Sequence, residues 1–400
     1  MDNSLVRTIF CDHRADDGQI VATVVGLLEG LRPRLAWLHT ARRIMVKTNI
    51  GYNDFRQHHG RYVAITEPAV VEGVVAFLRR HSGAEICVAE AATEANTLDF
   101  FHRAGYPQRL ALYDVQLVDL NRPPLAEYAV PQGGTIFRSY TLSAEFQTVD
   151  AVISLAKLKS HGSTGATATL KNFFAVPPVS VYGDPRRYLH AAVRLSRTVV
   201  DMALALKPVL GVIDALVCAD QQEWYGPPVE MNLLLAGDDL VATDATAMRF
   251  MGIDPADNYP HPPYLFDDNP VLLAARAGLG THKAEEITVE GPEPRPLFPF
   301  AAKRHWQPEV VEALRRSTAE QALLYEQQRE RFRASHEGKY VYIAKGEVVW
   351  SGDSLTGLPT RGELARKLGD AVNGLFLKRV GPASEDPEIY ERYREVLDRH

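Results

Sequence analysis

The sequence predicts an α/β protein: a Rossmann-like, mainly parallel sheet followed by a small C-terminal α+β module. Three observations lead there. Apolar strands alternate with amphipathic helical stretches over most of the chain, the pattern of strand–helix–strand units that wind a parallel sheet. Several strands end on a charged residue, as in RIMVKTN (43–49) and EICVAE (85–90), and open α/β sheets hold their ligands beyond such strand ends. The length, 400 residues, exceeds one average domain, so more than one folding unit is expected.

Leu5 to Cys11 reads as the first strand and Gly18 to Leu31 as an amphipathic helix. After the strand at 43–49, Thr66-Glu67-Pro68 opens a helix, with Thr66 or Glu67 at the cap and Pro68 in the first turn. The strand at 85–90 follows, then a helix, TLDFFHRAG (97–105), closed by its glycine. LALYDVQLVDL (110–120) and TIFRSYTLSAEF (135–146) alternate as strands do. DAVISLAKLKS (150–160) is a strand that runs into a basic loop, and His190 opens a helix over 190–206. Residues 209–217 form a buried strand, 231–239 a strand with a turn, and 240–251 a helix capped by Asp239 and ended by Gly252.

The four prolines of GPEPRPLFP (291–299) break this regularity. They divide the chain into an α/β core (1–292), a Pro-rich linker with a polar connector helix (293–335), and a small module (336–400). In the module, KYVYIAKGEVVWSG (339–352) is a hairpin turning at Lys345-Gly346. A helix near Arg361 to Leu368, a strand at 374–380 and a terminal helix from Pro387 complete it.

Charge singles out one stretch. Residues 151–200 hold seven Lys/Arg against one acid, Asp184, a formal +6 inside a chain whose total is −6. Segregated positive charge implies a negative counterpart, in the protein or in a ligand. Small hydroxyls and glycines lie between the cations, so the backbone can approach an anion closely. Lys159, His161 and Lys171 are therefore the candidate catalytic residues, with Glu90 from another strand end. Lys47, Asn49, Lys157, Thr167, Asn172, His190 and Asp214 are the candidate substrate-binding residues. A lysine desolvated beside other cations has a second available role, as a base or Schiff-base nucleophile. A neutral His161 or His190 is suited to passing protons near pH 7. Asp244 reads as structural, Phe173-Phe174 as core, and the Trp224–Pro228 segment as a loop over the pocket or a plain surface turn.

Other chemistries find less footing. No apolar run approaches the ~20 residues of a membrane span, and the N-terminus lacks a signal pattern. Cys11, Cys87 and Cys218 are far apart, with no C-x-x-C, which fits a reduced, cytoplasmic protein and no cluster of four thiolates. Gly278-Leu279-Gly280 follows a helix instead of opening one, so it fails the dinucleotide fingerprint, and there is no P-loop. A sequence pI of about 6.1 argues against general nucleic-acid binding. The histidine pair His58-His59 lies in a polar loop and needs no function. No H-E-x-x-H or similar spacing nominates a metal site, so any metal is left unassigned.

In order, VKTN (46–49), TEP (66–68), VAEA (88–91), KLKSH (157–161), TATLKNFF (167–174), VIDAL (212–216), LAGDDLVATDATAMRFMGIDP (235–255) and ITVEG (287–291) resemble the domain-of-unknown-function family 362 across residues ~5–292. Thr48 stands where that family has proline, and Ala175 where it often has glycine. The resemblance implies an α/β fold and makes Lys159, His161, Lys171 and Asn172 one motif. It implies no settled reaction. Many relatives carry a ferredoxin-like Cys-rich insert that this chain lacks. The C-terminal pattern, GKYVYIAKGEVVWSGDSLTGL with FLKRV, resembles a second such family, 5678.

The leading expectation is an enzyme acting on a small carboxylate or phosphate by acid–base chemistry. Two alternatives stay open: an oxidoreductase using a bound cofactor or an external iron–sulfur partner protein, and a non-catalytic anion- or metal-binding protein.

Overall fold

A computed structural model describes residues 3–93, 96–301, 307–369 and 374–398. The strands, in chain order, are β1 (Ser4–Phe10), β2 (Arg43–Lys47), β3 (Gln57–His58), β4 (Arg61–Tyr62), β5 (Glu85–Glu90) and β6 (Val115–Asp119). β7 (Leu125–Ala129), β8 (Ser139–Ser143), β9 (Ala151–His161), β10 (Gly165–Thr167), β11 (Leu210–Ala219), β12 (Pro228–Gly237) and β13 (Ile287–Glu290) follow. β14 (Tyr340–Ala344), β15 (Glu347–Gly352) and β16 (Phe376–Arg379) belong to the C-terminal module.

Among the described residues, nine strands make one sheet in the order β13-β1-β12-β11-β9-β2-β5-β6, with β10 beside β9. The ladders β1–β13, β9–β11, β2–β9, β2–β5 and β5–β6 are parallel, while β12 and β10 pair antiparallel. The fold is thus α/β with a mostly parallel central sheet. From β2 the chain builds outward through β5 and β6, then returns to place β9 on the other side of β2. The reversal point lies between β2 and β9, the position where such sheets open a ligand crevice.

Strand alternation sorts the core into two layers. Ile44, Val46, Ile153, Leu155 and Val212 face the helices Asp17–Leu31 and Pro68–His81, while Met45, Val152, Leu158 and Ile213 face those at Leu195–Leu206 and Leu240–Phe250. The first helix begins at a capping box, Asp16 with Gln19, which satisfies two otherwise orphaned N–H groups. Asp239 caps the helix at 240–250, accepting from Ala242 N at 3.0 Å.

Three sequence expectations need correction. His190 does not open a helix: Val193 takes a left-handed backbone (φ 74°) and the helix starts at Leu195. The strand expected over 110–120 is shortened to β6, because a short helix with proline in its first turn occupies Tyr106–Leu110. Within 135–146, β8 alone is strand, and it pairs with β7 off the main sheet. The N–H groups of Ile136 and Phe137 donate to the Asp201 carboxylate at 3.1 and 3.0 Å instead of to a ladder.

The C-terminal module is a three-stranded antiparallel sheet, β15-β14-β16. Its hairpin turns at Lys345-Gly346, both left-handed (φ 50° and 79°), as a two-residue hairpin loop demands. Val311, Leu314, Ile343, Phe376 and Tyr393 join the same hydrophobic cluster as Phe173, Val199 and Met248. The residues after 307 are therefore packed onto the core. Among the described residues no helix is long and apolar enough to cross a membrane.

Candidate functional site

A cavity of about 190 Å³ opens at the β2/β9 reversal point. Asn49 follows β2, Lys159 and His161 end β9, and Thr167 ends β10; Lys171 and His190 come from the segment beyond, and all six line the cavity. Lys159 and His161 are two residues apart on a strand, so their side chains share a face. The return from β9 to β10 needs Gly165 (φ 75°), where a Cβ would stand 2.8 Å from the Tyr264 ring. Residues the sequence did not nominate complete the wall, chiefly Arg186, Glu223 and Thr93. Trp224 also lines the cavity, so its loop contributes to the wall.

The seven cations of 151–200 divide into two groups. Lys157 pairs with Asp214 at 3.0 Å, Arg194 with Glu388 at 2.6 Å, and Arg197 with Asp268 at 3.0 Å. Arg187 donates to the carbonyl of Leu358 at 2.8 Å. The other three, Lys159, Lys171 and Arg186, line the cavity. Lys159 donates to Ala64 O at 2.7 Å and lies 3.4 Å from the centre of the Trp224 ring. Arg186 donates to the carbonyls of Pro177 (2.9 Å), Ala91 (2.5 Å) and Ala175.

Burial shapes the charge states. It lowers Lys171 to about 8, with Arg186 and Lys47 adding and Glu223 opposing. It drives Lys159 well below the usual lysine range. Burial alone would raise Glu223, but His161, its own backbone amide, Lys171 and His190 outweigh it and hold the carboxyl at about 2. The histidines are kept neutral by burial, His161 at about 3 and His190 at about 4.

Their hydrogen bonds fix opposite tautomers. His161 Nδ1 accepts from Ser163 N (3.1 Å) and Thr164 N (3.2 Å), so its proton is on Nε2, 3.5 Å from Glu223 Oε1. His190 Nδ1 faces the carbonyl of Pro185 at 3.2 Å and must donate to it, which leaves Nε2 as an acceptor. One imidazole in the cavity can therefore give a hydrogen bond and the other can take a proton.

Behind the wall lies a buried network. Lys47 Nζ is 2.7 Å from Glu90 Oε1, and donates to Thr48 O (2.7 Å) and Asn172 Oδ1 (3.1 Å). Glu90 also accepts from Ile50 N at 2.6 Å and Ala91 N at 2.8 Å. Asn172 Nδ2 donates to Lys47 O and Ser154 Oγ, so its Oδ1 is fixed as an acceptor and takes Asn49 Nδ2 at 3.2 Å. That turns Asn49 Oδ1 away, buried and without a partner. Lys47, Glu90 and Asn172 thus set Asn49 in place and do not line the cavity themselves. Lys157 and Asp214 do not line it either: each is spent on the other, and Asp214 also accepts from Glu67 N at 2.8 Å. Asp244 is structural as expected, accepting from Thr169 N and Leu170 N. Arg186 had a sequence signal, its place in the basic stretch; Glu223, a lone acid in a loop, had none.

The model of a family described as a domain of unknown function, DUF362, matches residues 44–249, just over half the chain. The chain belongs to the DUF362 family. The match spans β2 to the 240–250 helix and contains the whole cavity lining. A curated relative, a thylakoid-associated protein of Synechocystis sp., is 27% identical over 247 residues, which are 60% of this chain and 72% of the relative. Among solved structures, the lactate racemase apoprotein from Thermoanaerobacterium thermosaccharolyticum aligns with TM-score 0.36 and 12% identity, over 59% of this chain. This DUF362 chain covers 54% of the racemase chain, about half its length.

Proposed function

We propose that this DUF362 protein is an enzyme that binds a small carboxylate or phosphate in the β2/β9 cavity and moves a proton on it. The observation that carries this reading is the cavity's composition: Lys159, Lys171 and Arg186 without carboxylate hydrogen-bond partners, beside two neutral imidazoles of opposite tautomer. Lys171 and Arg186 bind the anion, and Glu223 offsets part of their charge. His190 Nε2 takes the proton. His161 Nε2–H, with Lys159, steadies negative charge that develops on an oxygen, as fixed donors in a water-poor site do. Asn49 Oδ1, a buried acceptor with no donor, calls for a hydroxyl or amine on the substrate. Lys47, Glu90 and Asn172 are positioning residues acting through Asn49. The cavity, about 190 Å³, suits a small ligand.

In this reading residues 1–292 hold the reaction in the cytoplasm, 293–335 link, and the 336–400 module, with its likeness to family 5678, supports the core. The test is a thermal-shift and calorimetric panel of small hydroxy-carboxylates and sugar phosphates, followed by deuterium exchange at carbon in D2O by NMR. One class should stabilise the protein and exchange a C–H. Lys171→Met and His190→Gln should each remove exchange, Lys171→Met through lost binding and His190→Gln with binding retained. Binding and exchange that survive both substitutions would overturn the assignment.

A further inference from the structure

The β3–β4 hairpin places a cluster of metal-binding side chains outside this cavity. His58, His59 and Glu230 bring their ligand atoms within 4.8 Å of one another. Glu230 Oε1 is 2.8 Å from His58 Nε2, 3.7 Å from His59 Nε2 and 3.5 Å from a third imidazole, His13 Nε2. One carboxylate oxygen thus faces three imidazole nitrogens, and the four side chains come from three separate parts of the chain.

His13 is the decisive member. It is 2% exposed. Its Nδ1 lies 2.7 Å from Asn232 Oδ1, which also accepts His13 N at 2.8 Å and so is an acceptor; Nδ1 therefore carries the proton. The lone pair of Nε2 is left buried without a hydrogen-bond partner, pointed at a carboxylate. Two acceptors face each other, and a buried unpaired nitrogen is costly. A cation between them removes the conflict. The Nδ1–Asn232 hydrogen bond is the outer contact that metal-ligating histidines use to fix their tautomer.

The backbone is shaped to this end. Neighbouring strand residues normally point to opposite faces. Here the hairpin turns at His59-Gly60, both left-handed (φ 48° and 79°), and the two rings come to 4.2 Å between centroids. Arg61 clamps the hairpin to the first loop by donating to His13 O at 2.8 Å and Ala15 O at 2.6 Å. Ligand atoms ~2.1 Å from a tetrahedral zinc lie about 3.4 Å apart, which the 3.5 and 3.7 Å separations of His13 and His59 from Glu230 match. The 2.8 Å His58 contact is a hydrogen bond that lengthens on coordination, and His13 closes on the other three, whose ligand atoms already lie within 4.8 Å of one another.

We propose that His13, His58, His59 and Glu230 bind one divalent first-row transition ion, zinc being the reference case for imidazole with carboxylate. The ion ties the hairpin, the loop after β1 and β12 together. The loops that lead into β3 and β12 line the cavity, with Gly51 and Tyr52 from one and Glu223 and Trp224 from the other.

The test is calorimetric titration of ZnCl2 into chelator-treated full-length protein, with melting temperature followed in parallel and cobalt absorption as a coordination signature. Zinc should bind at one equivalent and raise the melting temperature. Glu230→Gln should weaken binding at least tenfold, and the double variant His58→Ala/His59→Ala should abolish it. The double variant in chelator should melt like the chelator-treated parent, showing that its fold is intact. Failure of zinc, cobalt and nickel all to bind, or unchanged affinity in the double variant, would overturn the site and leave a proton-sharing histidine cluster.

Discussion

At the scale of single residues, Lys171 concentrates the trade between stability and function. Burial moves its pKa from 10.5 down to about 8. Below pH 8 the folded and unfolded chains both hold the proton, and the folded state carries the full cost of the buried charge, about 3 kcal/mol for such a drop. Between pH 8 and 10.5 the unfolded chain keeps a proton that the folded chain has lost, so this group's contribution makes stability rise with pH there. Lys171→Met should therefore raise the urea midpoint at pH 7, by up to about 3 kcal/mol, while ending stabilisation by an anionic ligand. In the parent protein, ligand affinity should fall as pH climbs past 8, approaching tenfold per pH unit, because binding needs the ammonium. A midpoint lowered by the substitution, or affinity flat to pH 9.5, would contradict this. Lys159, His161 and Lys171 were legible because no acid lies near them in sequence. Glu223 was not, since nothing local distinguishes an acid folded among lysines from a solvated one. His190 was nominated for its imidazole and does line the cavity, but from a loop, since Val193 moves the helix start to Leu195.

At the scale of elements, β9 carries the site because it is long and wholly buried, and β11 makes that burial tolerable. Lys157 and Asp214 are register neighbours across the β9–β11 ladder and are both fully buried. Their strand positions were evident from the apolar runs that hold them. That they answer each other was not, because pairing across parallel strands depends on register, which sequence leaves open. Removing one partner strands a buried charge, which costs about 3–5 kcal/mol, whereas replacing both by apolar groups is often close to neutral. Asp214→Leu should thus lower the urea unfolding free energy by that amount. Lys157→Met with Asp214→Leu should recover most of it. A double variant as unstable as the single one would show that the pair's role lies in its hydrogen bonds to Glu67 N and Leu216 N.

At the scale of the molecule, the composition break at 291–299 follows β13 of the main sheet, but the packing continues past it. Arg194, from the basic stretch, is buried against Glu388 at 2.6 Å and donates to Leu377 O at 2.9 Å. Glu388 also pairs with Lys378 at 2.7 Å, and Arg315 reaches back to Asp267 at 2.7 Å. These partners lie up to 194 positions apart, beyond any reading of local pattern. The shared hydrophobic cluster makes the same point without charge: Phe376 and Tyr393 on one side, Phe173 and Val199 on the other. A fragment ending at residue 301 should therefore expose apolar surface and leave Arg194 and Arg197 facing it, and should bind a hydrophobic dye or fall out of solution. In the whole chain, Glu388→Ala leaves Arg194 and Lys378 buried without their shared carboxylate, a loss of about 3–5 kcal/mol. Because the module covers the core, that loss should lower one cooperative unfolding transition, not split it in two. Two separated transitions in calorimetry, or a soluble fragment that melts like the parent, would mean that core and module fold independently.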